Sequence, residues 1–290
     1  MDSASTSDNT KSRRIGLLSD VHGNMTALRA VLADAGARDV TEFWLLGDTV
    51  MPGPGTLDLF GLIDATNITH CIRGNWDDCL LGTMAGDIDL GNPTDVYLAR
   101  LSQYVYDNIG DDGVARVASW PLWQVTELGP LKVLICHNLP NKNWGQDLMR
   151  ACDQGNFDAI FDGVEADIAV IGHTHSPFMR YASDGQMIIN PGSVGQSPIY
   201  DAGPAGDLRA RYAILVVDEL GIADVEFRRV DYDRHAEMAL AERAGLPYLG
   251  LYKESLTTGL THQHDHELLQ ELSDHLGYLE QVTAFLADHE

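Results

Sequence analysis

Lysine is almost missing from this chain of 290 residues: there are four, Lys11, Lys132, Lys142 and Lys253. All basic residues together number 19 against 43 acidic ones, a formal charge of −24. A surface for nucleic acid or for an anionic membrane neutralises phosphates with clustered Lys and Arg, so this balance argues against both partners. Self-repulsion between soluble molecules accounts for such a charge. A host with high internal salt is the sharper expectation from so few lysines. Cysteine is scarce too. Cys71, Cys79, Cys136 and Cys152 show no paired spacing, and Cys71 and Cys136 sit in apolar runs. Buried free thiols and a reducing cytoplasm follow from that pattern. No apolar run reaches about 18 residues, so no spanning helix is expected. Residues 1–12 are polar, with no apolar stretch of the kind a secretion signal carries, and read as a frayed tail.

What the chain does have is 44% hydrophobic residues, enough for one large α/β domain with a helical appendage. Ile15, Leu17 and Leu18 form a short buried strand that runs into Ser19-Asp20-Val21-His22-Gly23-Asn24. A helical pattern from Ala27 to Leu32 follows and closes at Gly36. The second strand, Phe43 to Leu46, ends at Gly47-Asp48, and the third, Ile68 to Ile72, ends at Gly74-Asn75. After a helical insertion at about 79–120, with Asn92-Pro93 as a cap and first helical position, two strands joined by Gly129-Pro130 lead to His137. A helical region is expected over residues 145–165. The run Ile168 to Ile171 then delivers Gly172-His173-Thr174-His175.

An HxH tripeptide alone is weak evidence of a metal site. Its company strengthens it: in open α/β sheets, residues beyond the carboxyl ends of strands converge on one crevice. Collected from those ends, the candidate ligands are Asp20, His22, Asp48, Asn75, His137, His173 and His175. Imidazole nitrogen mixed with carboxylate and amide oxygen suits Mn, Fe, Zn or Co better than Mg. Seven ligands exceed one ion and fit two ions that share a bridging carboxylate.

In order and spacing, Asp20-Val21-His22-Gly23-Asn24, Gly47-Asp48, Gly74-Asn75, His137 and Gly172-His173-Thr174-His175 resemble the calcineurin-like metallophosphoesterases. Within them the chain is similar to the small bacterial and archaeal phosphodiesterase branch, which also tends to carry a block like Asn190-Pro191-Gly192-Ser193-Val194-Gly195. The resemblance covers about Arg13 to Asp233. It implies a four-layer α/β/β/α sandwich of two mixed sheets, and two divalent ions with Mn favoured. One ion would be held by Asp20, His22, Asp48 and His175, the other by Asp48, Asn75, His137 and His173. It also implies attack of a metal-bridging hydroxide on a small phosphate ester, a phosphodiester by preference and a nucleotide among the candidates. Asp48, Asn75 and His137 are the expected catalytic residues, with Asn24 either donating to a phosphate oxygen or stabilising its own turn. The 190–195 block is expected to support the ligands from behind.

Two departures stand out. Many members carry a His directly after the Gly-Asn pair, where this chain has Trp76. That leaves the acid role to another donor such as Asp77, and makes Trp76 an apolar wall for a base or an aromatic ester. The second departure is Asn138 after His137, where a Gly is common. Domain limits are expected at residue 13 and near residue 235, with a C-terminal helical extension of three helices over 236–290. Its apolar stripe, Leu268 to Leu286, is read as packed on its own domain in preference to a homo-oligomer interface. His262, His264 and His266 are read as a solvated helix entrance in preference to a metal site. The alternatives to a phosphoesterase of small molecules are a phosphoprotein phosphatase and a non-catalytic scaffold of the same fold.

Overall fold

The computed structural model describes residues 12–197 and 207–289, so most of the expected N-terminal tail lies outside the described residues. Two five-stranded mixed sheets pack face to face. The first contains β1 (Arg13–Leu18), β2 (Glu42–Leu45) and β3 (Ile68–Cys71), mutually parallel. The second is built from β4 (Trp123–Leu128), β5 (Leu131–Cys136), β6 (Ile168–Val170), β7 (Phe178–Tyr181) and β8 (Met187–Asn190), with β5, β6 and β8 parallel. The antiparallel pair β9 (Ala210–Asp218) and β10 (Gly221–Val230) completes the first sheet beside β1.

The period of two along a strand decides which residues meet between the sheets. Ile15 and Leu17 of β1 face Val133, Ile135 and Val170 of the opposite sheet. Leu18 and Leu45 face the helices on the outside. Those helices are α1 (Met25–Gly36), α2 (Leu57–Asp64), α3 (Asn75–Met84) and α4 (Pro93–Ser119). Asn92 caps α4 through Thr94 N at 3.0 Å, with Pro93 at the first helical position, and α4 bends at Gly110 (φ 60). Among the described residues, the outer face of the second sheet carries only α5 (Gln154–Asp158) and a single 3-10 turn, Ala159–Phe161. The four layers expected from the resemblance are present, the fourth of them thin.

The expected helix over residues 145–165 is therefore largely absent. Gly145 takes φ 103, and side chains hold the residues after it as turns: Lys142 pairs with Asp147 (2.8 Å), Asn156 Nδ2 donates to Asp147 O (2.8 Å), and Arg180 Nη1 donates to Cys152 O (3.1 Å). The insertion also starts earlier than residue 79, since α3 begins at Asn75.

The C-terminal part forms four helices among the described residues, where three were expected: α6 (Arg234–Arg243), α7 (Leu249–Thr258), α8 (His266–Leu276) and α9 (Tyr278–Ala287). Gly277, at φ 66, breaks the last periodic stretch in two. Part of the stripe packs within the chain, Leu269 in the main core and Val282 with Val96 and Ala99 of α4, while Leu276 is exposed. No helix among the described residues is long and apolar enough to cross a membrane.

Candidate metal centre

The strand-end loops are laced together by backbone hydrogen bonds. Asp20 N donates to Gly47 O (3.0 Å), His22 N to Asp48 O (2.9 Å), and Gly172 N to His137 O (2.9 Å). These bonds carry residues far apart in sequence to one point at the edge of both sheets. Two sites allow no side chain. A Cβ on Gly74 would run into the Asp48 carboxylate, and one on Gly172 would run into Ser19 Oγ. Asp20, His22, Asp48, His173 and His175 all hold left-handed backbone, with φ between 51 and 66. They make up five of the eight such non-glycine residues described. Each costs about 1 kcal/mol or more, so the surroundings must impose it. The strain sits on the candidate ligands.

Each histidine has one ring nitrogen committed to a backbone carbonyl at 2.7 Å. His22 Nδ1 donates to Met51 O, His137 Nδ1 to Leu46 O, His175 Nδ1 to Gln196 O and His173 Nε2 to Gly145 O. That fixes the ring and leaves the other nitrogen as the ligand atom. Asp48 is oriented in the same manner: Trp76 N donates to Oδ1 (2.8 Å), and Oδ2 lies 3.4 Å from His137 Nε2 and 3.7 Å from His22 Nε2. Asp20 Oδ2 accepts from His173 N (3.1 Å). Its other oxygen, Oδ1, is buried with no hydrogen-bond partner and lies 3.3 Å from His175 Nε2.

The donor atoms form two groups. One is Asp20, His22, Asp48 and His175; the other is Asp48, His137 and His173; within each, ligand atoms lie within 4.8 Å of one another. Asn75 Oδ1 adds to the second, 3.2 Å from His137 Nε2. All seven sequence candidates thus come together, and Asp48 belongs to both groups. Two acceptor atoms face each other at 3.1 Å where His22 Nε2 meets His175 Nε2, a geometry that calls for a cation between them. Together with the orphaned Asp20 oxygen, it fits the residues to divalent metal.

Charge in the pocket follows the same logic. Burial opposes a charge on His137, yet the neighbouring carboxylates of Asp48 and Asp20 raise its pKa to about 10. His22 is lowered to about 4 by burial against the pull of Asp48, and His173 falls to about 4 through burial and the nearby His137. Asp20 and Asp48 are held below the usual carboxylate range, burial notwithstanding, by the imidazoles around them. The pocket attracts positive charge.

Of the two readings of Asn24 the geometry favours the turn, and the reading of Asp77 changes. Asn24 is the cap of α1: its Oδ1 accepts from Ala27 N (3.0 Å) and its Nδ2 donates to Gly195 O (3.1 Å) and Tyr232 Oη (3.2 Å). With the whole amide engaged and buried, it is set aside as a phosphate donor. Asp77 is tied into the fold and does not line the cavity: Oδ1 accepts from Thr49 N and Val50 N and Oδ2 from Gly74 N, while burial and the neighbouring Asp48 raise its pKa to about 7. It clamps the Asp48 and Asn75 loops together. Trp76 turns its edge to His22 (centroids 5.3 Å apart) and borders the cavity beside the ligands. The 190–195 block supports the site from behind: Ser193 Oγ donates to Asp20 O (2.9 Å) and Asn190 Nδ2 donates to Gly172 O.

Residues 14–219 match the family model of the calcineurin-like phosphoesterase superfamily domain. The chain belongs to the calcineurin-like phosphoesterase superfamily. Among its relatives, an uncharacterised protein of Methanocaldococcus jannaschii is 28% identical over 233 residues, 76% of this chain and 88% of that protein. A symmetrical bis(5'-nucleosyl)-tetraphosphatase of Salmonella typhimurium is 30% identical over 138 residues; the match spans 47% of this chain and 46% of that enzyme, about half its length. A metallophosphoesterase structure from Sphaerobacter thermophilus aligns with TM-score 0.64 and 28% identity, covering 85% of this chain and all of that one. A hypothetical protein of Pyrococcus horikoshii aligns at 0.68 with 19% identity, over 86% of this chain and 99% of its own, and shows the shared fold.

The signal for two further contributors was absent from local sequence. The Gly145 carbonyl behind His173 lies in a stretch read as helix, and the cavity wall is completed by residues 259–264, which follow the family match.

Proposed function

We propose that this phosphoesterase uses two divalent ions to hydrolyse a small phosphate ester, a diester by preference, with nucleotide esters among its substrates. The observation that carries the reading is Asp48, which belongs to both donor groups and whose Oδ2 lies 3.4 Å from His137 Nε2 in one and 3.7 Å from His22 Nε2 in the other. Asp20, His22, Asp48 and His175 would hold one ion, and Asp48, Asn75, His137 and His173 the other. The mixed nitrogen and oxygen donors suit Mn, Fe, Zn or Co better than Mg, and Mn is the ion to test first. Such a pair acidifies water into a nucleophile near neutrality and supplies positive charge for the phosphoryl oxygens. The chain's own part is to aim the ligands. The carbonyls of Met51, Leu46, Gly145 and Gln196 set the four rings, and Trp76 N turns Asp48 so that one oxygen points inward.

The cavity beside this centre measures about 650 Å³ and is bounded by Trp76, Trp144, Met149 and residues 259–264. That size suits a small ester and not the open groove a phosphoprotein needs. A non-catalytic scaffold has no use for a complete donor set on strained backbone. The likeness to the tetraphosphatases favours one further substrate, a bis(5'-nucleosyl) tetraphosphate. Four free thiols, buried or half-buried, favour a reducing cytoplasm.

The test is hydrolysis of bis-4-nitrophenyl phosphate against 4-nitrophenyl phosphate by the purified protein supplied with Mn. Diester turnover should exceed monoester turnover, and Asp48→Asn should abolish both. A folded, metal-loaded protein that turns over neither ester nor a bis(5'-nucleosyl) tetraphosphate would refute the reading.

A further inference from the structure

The cavity lined by Asp48, Asn75, His173 and His175 is also lined by the C-terminal extension, through Gly259, Leu260, Thr261, Gln263 and His264. This segment is anchored at both ends. Gly259 ends α7 in left-handed conformation (φ 75), and Asp265 caps α8 by accepting from Leu268 N at 3.2 Å. Between those ends, Thr94 Oγ1 donates to Gln263 O (2.7 Å), and His262 sits between Glu254 (3.2 Å) and Asp265 (3.7 Å). The three alternating histidines therefore differ. His262 is engaged by carboxylates, His266 opens α8 outside the cavity lining, and His264 stands on the cavity wall with no side-chain hydrogen bond or ion pair to the described residues.

Breaking an ester bond at phosphorus needs a proton for the oxygen that leaves. As the attacking water oxygen bonds to phosphorus, the electron pair of the P–O ester bond passes to the leaving oxygen. An alkoxide is a poor leaving group unless it is protonated in the same event, whereas 4-nitrophenolate leaves unaided. The ionisable side chains on the cavity wall are Asp48, Cys79, His173, His175 and His264. Asp48, His173 and His175 are candidate ligands. The Cys79 thiol is pushed up to about 12 by burial and neighbouring carboxylates and does not exchange protons near neutrality. Asp77 and Asn24 are engaged within the fold.

We infer that His264, which the C-terminal extension contributes to the cavity lined by the candidate ligands, donates the proton to the leaving oxygen of the ester. The proton goes from the imidazolium to the departing alcohol, and the neutral imidazole recovers a proton from solvent, where the one released by the attacking water ends. This inference rests on the phosphoesterase reading above.

The test is a series of methyl aryl phosphates running from 4-nitrophenyl to phenyl, compared between wild type and His264→Gln, both loaded with Mn. The loss in kcat should grow from a few-fold on the 4-nitrophenyl ester to about 100-fold on the phenyl ester, the low end of what a positioned acid supplies. Added imidazole should restore the phenyl ester selectively, and His266→Gln should leave the whole series untouched. Metal content and melting temperature are measured alongside to show that His264→Gln is folded and loaded. An equal loss across the series, or none, overturns the inference while leaving the phosphoesterase reading intact. A wild type inactive on every member overturns both.

Discussion

At the residue scale, the centre is a set of side chains each fixed from behind before any metal arrives. Replacing His173, which serves only the Asp48, His137 and His173 group, should lower bound metal from two ions per chain toward one. Metal analysis of His173→Ala that finds both ions retained contradicts the split between the two histidines of Gly172-His173-Thr174-His175. Gly74→Ala places a methyl group against Asp48. Overpacking of that kind costs about 1–3 kcal/mol, so urea unfolding should show a loss of about 2 kcal/mol together with weaker metal retention. These ligands were legible in the sequence because loops at strand ends leave few reasons for clustered Asp, His and Asn. The role of Asp77 was not, and that of Asn24 stayed open between two readings, because an amide or carboxylate that caps a turn looks in sequence like one aimed at a ligand.

At the scale of elements, the sheets, the insertion and the hairpins followed from apolar periodicity and turn residues. The misread parts are those where tertiary bonds outweigh local preference. Residues 145–153 are held as turns by Lys142, Asn156 and Arg180, and one left-handed glycine splits the last helix. α1 is tied to β9 and β10 by Asp34, which accepts from Tyr212 Oη (2.7 Å) and pairs with Arg228 (3.3 Å) and Arg38 (2.7 Å). Burial works against the ionised carboxylate, but those donors hold it below the ordinary 3.8. A depressed acid stabilises the fold fully above the unfolded value and loses that contribution as pH falls through the folded one. Asp34→Asn should therefore unfold about 1–2 kcal/mol more easily at pH 7, and its deficit against wild type should shrink as pH drops below 3.8. A deficit independent of pH would mean the carboxylate's charge is not what matters. In α8, Leu269 is fully buried, and Leu269→Ala should cost about 2–4 kcal/mol by the usual cavity penalty.

For the whole molecule, the excess of negative charge outweighs any single contact. Exposed pairs such as Arg13 with Glu42 and Arg116 with Asp64 contribute about 0–1 kcal/mol each. Salt weakens them while it screens the mutual repulsion behind a net −24. The repulsion is the larger effect, so the thermal midpoint should rise from low salt to molar KCl; a flat or falling midpoint would count against adaptation to high salt. The domain core was readable from the sequence because its motifs are local. The part played by residues 259–264 was not, since a loop's destination depends on how α7 and α8 dock. That loop lies beyond residue 219, where the family match ends, yet it lines the same cavity as the candidate ligands. A substitution there would reshape the cavity while leaving every candidate ligand in place.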